Sequence, residues 1–185
     1  VESDAHLAVK RLIRYTGDDA EREGLRDTPR RVLKAFDEWF SGYGIDPSDY
    51  LTRTFGETNG YDEMVLLKDI SFVSHCEHHM VPFTGVAHVG YIPRERVVGI
   101  SKLARVVDAY AKRLQIQEKM TQQIADCIET ALDPIGVGVV LEATHQCMSL
   151  RGIRKESVTM STSCMKGALM DKQVARDEFL RLIGK

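Results

Sequence analysis

Two short stretches hold the side chains best suited to chemistry: Cys76-Glu77-His78-His79, directly preceded by His75, and His145-Gln146-Cys147 much later in the chain. Thiolate sulfur and neutral imidazole nitrogen are the donors that hold zinc. If residues 76–79 turn back on themselves, Cys76 and His79 face one point. His78 then projects elsewhere, free to act as an acid or base. The step of two from His145 to Cys147 puts both on one face of an extended segment. A metal held by Cys76, His79 and Cys147 has three protein ligands and one open position, the count of a catalytic rather than a structural zinc site. The competing reading is a closed structural site built from Cys76, His79, His145 and Cys147, which leaves His78 without a purpose. A lone C-x-x-H also recurs by chance. The residues alone leave these readings open.

Positioning such groups takes a folded core, and 185 residues suffice for one domain, or for a domain with a helical appendage. A formal net charge of −2 speaks against a nucleic-acid partner, which asks for a clearly basic surface. No apolar run reaches membrane-spanning length and the N-terminus lacks the apolar core of a signal peptide, so no membrane partner is expected. Four cysteines do not suggest a disulfide framework, and two must stay reduced to serve as ligands. The cytoplasm is therefore the expected compartment. The chain opens at Val1 rather than methionine, so a native N-terminus ahead of it is expected.

The elements alternate in an α+β order. Residues 3–15 read as an amphipathic helix ending near Gly17. Asp27-Thr28-Pro29 reads as a helix start, followed by Val32, Leu33, Phe36, Trp39 and Phe40 on one face, with Arg30 and Arg31 in the first turn. Residues 46–60 read as a connection. Strands are expected over 64–74 and 83–92, which puts the His–Cys cluster in a hairpin-like connection. His88 falls mid-strand and reads as structural; His6 gets no role. Ile100-Ser101-Lys102 opens a helix with Leu103, Val106, Val107, Tyr110 and Leu114 as its buried stripe and Ser101 as N-cap. Lys102 and Arg105 in its first turn oppose the helix dipole at a cost of about 0.3–1 kcal/mol each, which makes sense if an anion docks there. A further helix runs to about Leu132, with Cys127 in the core. Alternation from Val137 to Ala143 gives a strand, and His145 and Cys147 continue its odd-numbered face. Arg151-Gly152-Ile153-Arg154-Lys155 is a local basic cluster. Residues 157–164 read as a strand ending in a spare thiol, Cys164, and 171–183 as a closing helix. The expected division is a helical region over 1–60 and a catalytic domain over 61–185.

Taken together, Cys76-Glu77-His78-His79, Gly99-Ile100-Ser101-Lys102 with Arg105, Gln117-Glu118 followed by Thr121-Gln122-Gln123, His145-Gln146-Cys147 and Arg151-Gly152 resemble GTP cyclohydrolase I, over roughly residues 25–183. No motif is specific alone; in this order and spacing the set is. The resemblance implies the tunnelling fold, a four-stranded antiparallel sheet backed by helices. It also implies a homodecamer of two pentameric rings with active sites between subunits.

The activity implied is conversion of GTP and water to 7,8-dihydroneopterin triphosphate and formate, the first step toward folate or tetrahydrobiopterin. Zinc on Cys76, His79 and Cys147 is implied, and it lowers the pKa of water from 15.7 to about 7. By resemblance, His145 protonates purine N7, making C8 electrophilic, and His78 shuttles protons at the ribose oxygen. Glu118 accepts hydrogen bonds from guanine N1 and N2, with Gln117 and the backbone near Ile100 adding contacts to the base. Ser101, Lys102, Arg105 and Arg151 match triphosphate binders, and Arg31 a phosphate-contacting arginine serving a neighbouring subunit. His75 has no counterpart and is given no role. Two rivals stay in view: another tunnelling-fold enzyme acting on a pterin or deazapurine, and a non-catalytic zinc-stabilised binding module.

Overall fold

The computed structural model describes residues 3–56 and 60–185. Its chain divides into two compact units, Val1–Ser41 and Gly42–Lys185. In the first unit, α1 (Asp4–Tyr15) is capped by Ser3, whose hydroxyl oxygen accepts from the His6 N–H, and α2 (Thr28–Trp39) opens with proline, whose missing N–H costs nothing in a first turn. Asp27 makes no side-chain cap bond; its carboxylate lies 3.7 Å from the Arg31 guanidinium and 3.9 Å from that of Arg30.

The second unit follows the order β1 (Thr54–Phe55), β2 (Val65–Cys76), β3 (Pro82–Ile92), β4 (Val97–Val98), α3 (Ile100–Ala111), β5 (Leu114–Gln115), α4 (Gln117–Leu132), β6 (Gly136–His145), α5 (Gln146–Ser149), β7 (Met160–Gly167), α6 (Ala168–Asp171) and α7 (Gln173–Leu182). Before β1, part of the expected connection is a packed 3₁₀ turn, Pro47–Leu51. The Asp46 carboxylate accepts from the Ser48 N–H and Leu51 joins the core. Glu57, Thr58 and Asn59 of that connection lie outside the described residues.

The sheet order is β5-β2-β3-β6-β7, with β2 to β7 antiparallel and β5 a two-residue parallel edge. The alternation expected from Val137 to Ala143 is observed. These residues pack with Ala87, Val89 and Tyr91 against the apolar stripes of α3 and α4, in the register Ala87↔Leu141 and Val89↔Val139. The opposite face buries Val140 under Leu169 of α6 and Phe179 of α7. At Gly85 a β-carbon would collide with the Glu142 carbonyl, so glycine lets β3 and β6 close up two residues from the strand end that carries His145. The four-stranded antiparallel sheet backed by helices, in an α+β chain, is thus borne out.

Local expectations are corrected at several places. Gly99, not Ser101, is the N-cap of α3, and no side chain caps it; Ser101 lies inside the first turn. Leu114 is outside that helix, drawn into the edge strand that pairs with His75 and Cys76. The strand expected over 157–164 is shifted to Met160–Gly167, which places Cys164 mid-strand opposite Val139. The last helix is broken at Lys172, whose extended backbone separates α6 from α7.

Candidate metal centre and its surroundings

The turn between β2 and β3 is tight. The Met80 N–H donates to the Cys76 carbonyl at 2.8 Å and the Cys76 N–H to the Val81 carbonyl at 2.9 Å. Met80 closes it at φ 54°, a left-handed conformation that costs a non-glycine residue about 1–3 kcal/mol and is tolerated where the surroundings fix it. Part of that fixing comes from β5: the Glu77 N–H donates to the Gln115 carbonyl at 3.0 Å. The Glu77 carboxylate also stands 4.0 Å from the Lys119 ammonium, tying the turn to the start of α4.

This turn presents Cys76 and His79 to Cys147, and the donor atoms of the three lie within 4.8 Å of one another. His79 Nδ1 is 3.8 Å from the Cys76 sulfur. Two sulfurs and an imidazole nitrogen converging in this way form the soft donor set that suits zinc, with one coordination position not supplied by the group. Cys147 reaches the cluster differently from the sequence expectation. It lies on the single turn of α5, not on an extended strand, so the chain bends after His145 and carries the sulfur toward Cys76. Burial pushes the Cys147 thiol up, as does the neighbouring Cys76, while the nearby Arg151 charge pulls it down.

His78 does not project away from the cluster as expected: its Nδ1 is also 3.8 Å from the Cys76 sulfur, and its ring is edge-on to His79. His145 is held at the end of β6. Its ring stacks on Phe83 of β3 at 4.5 Å with an interplanar angle of 3°, and its Nε2–H donates to the Gln117 side-chain carbonyl at 2.8 Å. Burial lowers the His145 pKa, and the Glu118 carboxylate acts against that shift. Glu118 is exposed in the first turn of α4, where its charge also suits the helix dipole. Arg151 Nη1 donates to His79 Nε2 at 3.4 Å.

One chain therefore brings together Cys76, His78, His79, Gln117, Glu118, His145, Cys147 and Arg151. It does not bring Ser101, Lys102 and Arg105 to the same place. The start of α3 lies by the Tyr91 end of β3, where the Tyr91 hydroxyl accepts from the Val98 N–H; its far end leads into β5 beside Cys76. The helix between them is about 16 Å long. At that remote start, Ile100 and Ser101 are exposed; Arg105 is at mid-helix rather than in the first turn, its guanidinium over the Tyr50 ring at 5.8 Å. Arg31 belongs to the first unit, in the first turn of α2.

Sequence reasoning missed the β5 anchor and the internal work of Gln117, which is 1% exposed. Its two Nε2 hydrogens are shared among three acceptors, the carbonyls of Leu141 (3.1 Å) and Met160 (3.0 Å) and the Thr162 hydroxyl (3.1 Å), so its side chain is spent inside the chain. The two-residue strand is too short for any periodicity to signal it. The glutamine's position just inside a helix start gave no sign of burial.

Among solved structures, the chain is similar to the archaeosine synthase QueF-Like in its apo form, at 23% identity over 56% of this chain and 93% of that one, with a TM-score of 0.47. It is also similar to E. coli dihydroneopterin aldolase in complex with neopterin, at 11% identity over 57% of this chain and 99% of that one, with a TM-score of 0.45. Among the described residues, no helix is long and apolar enough to cross a membrane. The family model for GTP cyclohydrolase I matches residues 5–184, nearly end to end, and this chain belongs to that family.

Proposed function

We propose that the protein is a zinc-dependent GTP cyclohydrolase I that converts GTP and water to 7,8-dihydroneopterin triphosphate and formate. The observation that carries this reading is the donor group Cys76, His79 and Cys147, within 4.8 Å of one another, beside His145 and Arg151. Zinc on these three side chains would supply the Lewis acidity that makes water nucleophilic near neutral pH. His145 takes up a proton from solvent on the ring nitrogen that faces the substrate and passes it to purine N7, which makes C8 open to attack. His78 moves protons at the ribose oxygen once the imidazole ring has opened. Glu118 accepts from guanine N1 and N2, a pair of donors adenine lacks, and so selects the base.

The triphosphate asks for cations. Arg151 stands at the cluster, whereas Ser101 and Lys102 sit at the far end of α3 and Arg105 at its middle. Their separation supports a site completed by a neighbouring subunit, with Arg31 of a further subunit reaching in. The assembly we propose is a homodecamer of two pentameric rings, working in the cytoplasm. A second reading, a closed zinc site in a non-catalytic binding module, draws on one observation: His78 Nδ1 is as near the Cys76 sulfur, 3.8 Å, as His79 Nδ1 is.

The test is incubation of zinc-loaded protein with GTP, following formate and the fluorescent oxidised neopterin product with and without chelator. Equimolar formate and pterin, both abolished by chelator and restored by zinc, is the expected result. Zinc-loaded, assembled protein that yields neither product would overturn the reading.

A further inference from the structure

Resting on that reading, we propose that Gln117 is a positioning residue. Together with Thr121 and Thr162 it fixes His145 in one orientation and one tautomer, with the proton on Nε2, so that Nδ1 is the ring nitrogen left for substrate.

The bond directions follow from an inventory of donors. Thr121 Oγ1 has one hydrogen and donates it to the Gln117 backbone carbonyl at 2.7 Å. The Thr121 and Thr162 hydroxyls are 2.7 Å apart, so Thr162 must be the donor in that pair. Thr162 then has a lone pair free for the Gln117 Nε2–H at 3.1 Å. The remaining acceptors around Nε2 are the Leu141 and Met160 carbonyls, at 3.1 and 3.0 Å. Turning the amide over would aim its oxygen at two carbonyl oxygens and strand three acceptors in a buried setting, so the amide has one tenable orientation. Its oxygen is left facing His145 Nε2 at 2.8 Å, and a carbonyl oxygen only accepts. The imidazole must therefore carry its hydrogen on Nε2.

Stacking on Phe83 at 4.5 Å fixes the plane of the ring, and the glutamine fixes its rotation within that plane. The chain of bonds spans α4, β6 and β7. It begins on a strand residue, Thr162, that sequence patterning marks only as part of a β-segment. A buried, fully connected network of this kind holds a neighbouring group more firmly than a surface contact does. In place of the base contact expected from sequence, the Gln117 side chain orients the histidine.

The experiment uses the full-length, zinc-loaded protein labelled with ¹³C,¹⁵N-histidine, sedimented and read by solid-state NMR, with His145 assigned by its loss in His145→Asn. Wild type is expected to show the His145 ring in the Nε2–H form alone. Gln117→Met should give a mixture of tautomers, with kcat down at least about 100-fold, the low end of what a positioned acid–base group contributes, and KM within about threefold. Thr162→Val, which removes none of the metal donors, should loosen the ring partly and lower kcat about tenfold, as expected for one lost buried hydrogen bond. Thr162→Ser, which keeps the hydroxyl, should restore both the tautomer and the rate. The proposal fails if wild-type His145 carries its proton on Nδ1, or if folded Gln117→Met keeps a single Nε2–H ring. It fails equally if that variant raises KM with kcat unchanged, which would return Gln117 to the base-binding role. Should Gln117→Met not fold, the Thr162 pair decides. Wild-type protein that shows the Nε2–H ring but releases no formate from GTP would sink the proposed reaction and leave the positioning intact.

Discussion

The starts of α3 and α4 make an instructive pair. Neither is capped by a side chain of its N-cap residue. At α4 the first turn carries an acid, Glu118, and a buried glutamine bonded to the His145 ring, and the preceding strand anchors the turn that presents Cys76 and His79. At α3 the first turn carries no acid; Ser101 is exposed at the end of the helix away from the metal donors, and Arg105 is exposed at its middle. The first helix start is furnished from within one chain. The second carries cations and nothing anionic in its first turn, and under the proposed function it is the triphosphate end that another copy completes.

The largest expected effects come from the furnished end. Cys76→Ser or Cys147→Ser should lose both zinc, measured by metal analysis, and turnover. His145→Ala and His78→Ala should keep zinc and lose about 10²–10⁴-fold in kcat. A His78→Ala protein that lost its metal would shift His78 from proton carrier to ligand and break the comparison at its strong side. Glu118→Gln should next cost about 10–100-fold in kcat/KM for GTP, the worth of hydrogen bonds to a charged acceptor, read from steady-state rates.

The remote helix start is sharpened by mixing subunits. Lys102→Gln/Arg105→Gln protein should bind GTP poorly, with KM raised and the remaining affinity less sensitive to salt. Unfolded and reassembled together with His145→Ala protein, it should recover part of the wild-type rate, because some interfaces then join an intact donor end to an intact α3. No recovery in assembled mixtures would mean that one chain supplies both halves.

The long elements were legible because their signals are long: the 136–145 strand alternates, α3 and α4 carry stripes at helical spacing, and the turn is bracketed by two β-rich runs. The His-x-Cys and Cys-x-x-His spacings led to the trio that the structure brings within 4.8 Å, although for Cys147 the stated geometry was wrong. Strand alternation cannot foresee a helical turn that begins at the next residue. What escaped the sequence was set by pairing rather than pattern. The two residues of β5 become a strand only because β2 offers them an edge, and Gln117 becomes internal because Leu141, Met160 and Thr162 surround it. Serine at 101 looks like a cap, but Gly99 already begins the helix.

The smallest expected effect lies outside the proposed site, on the sheet face covered by α7. The Glu142 carboxyl is held below its ordinary value of 4.5, first by the Lys185 ammonium and then by the Ser161 hydroxyl. A depressed folded-state pKa adds stability that is present above the unfolded value and is lost as pH falls through the folded one. Thermal melts from pH 7 downward should therefore show Lys185→Met losing less stability than wild type below about pH 4.5, with a gap under about 1 kcal/mol at neutral pH.

The account stands on two sulfurs and one nitrogen leaving a coordination place for water and substrate. X-ray absorption at the zinc edge of the loaded enzyme tests this most directly. The predicted shell is two sulfurs at about 2.3 Å, one imidazole at about 2.0–2.1 Å and one light atom that GTP perturbs, unchanged in His78→Ala and His145→Ala. A second imidazole in the shell, lost in either histidine variant, would contradict it.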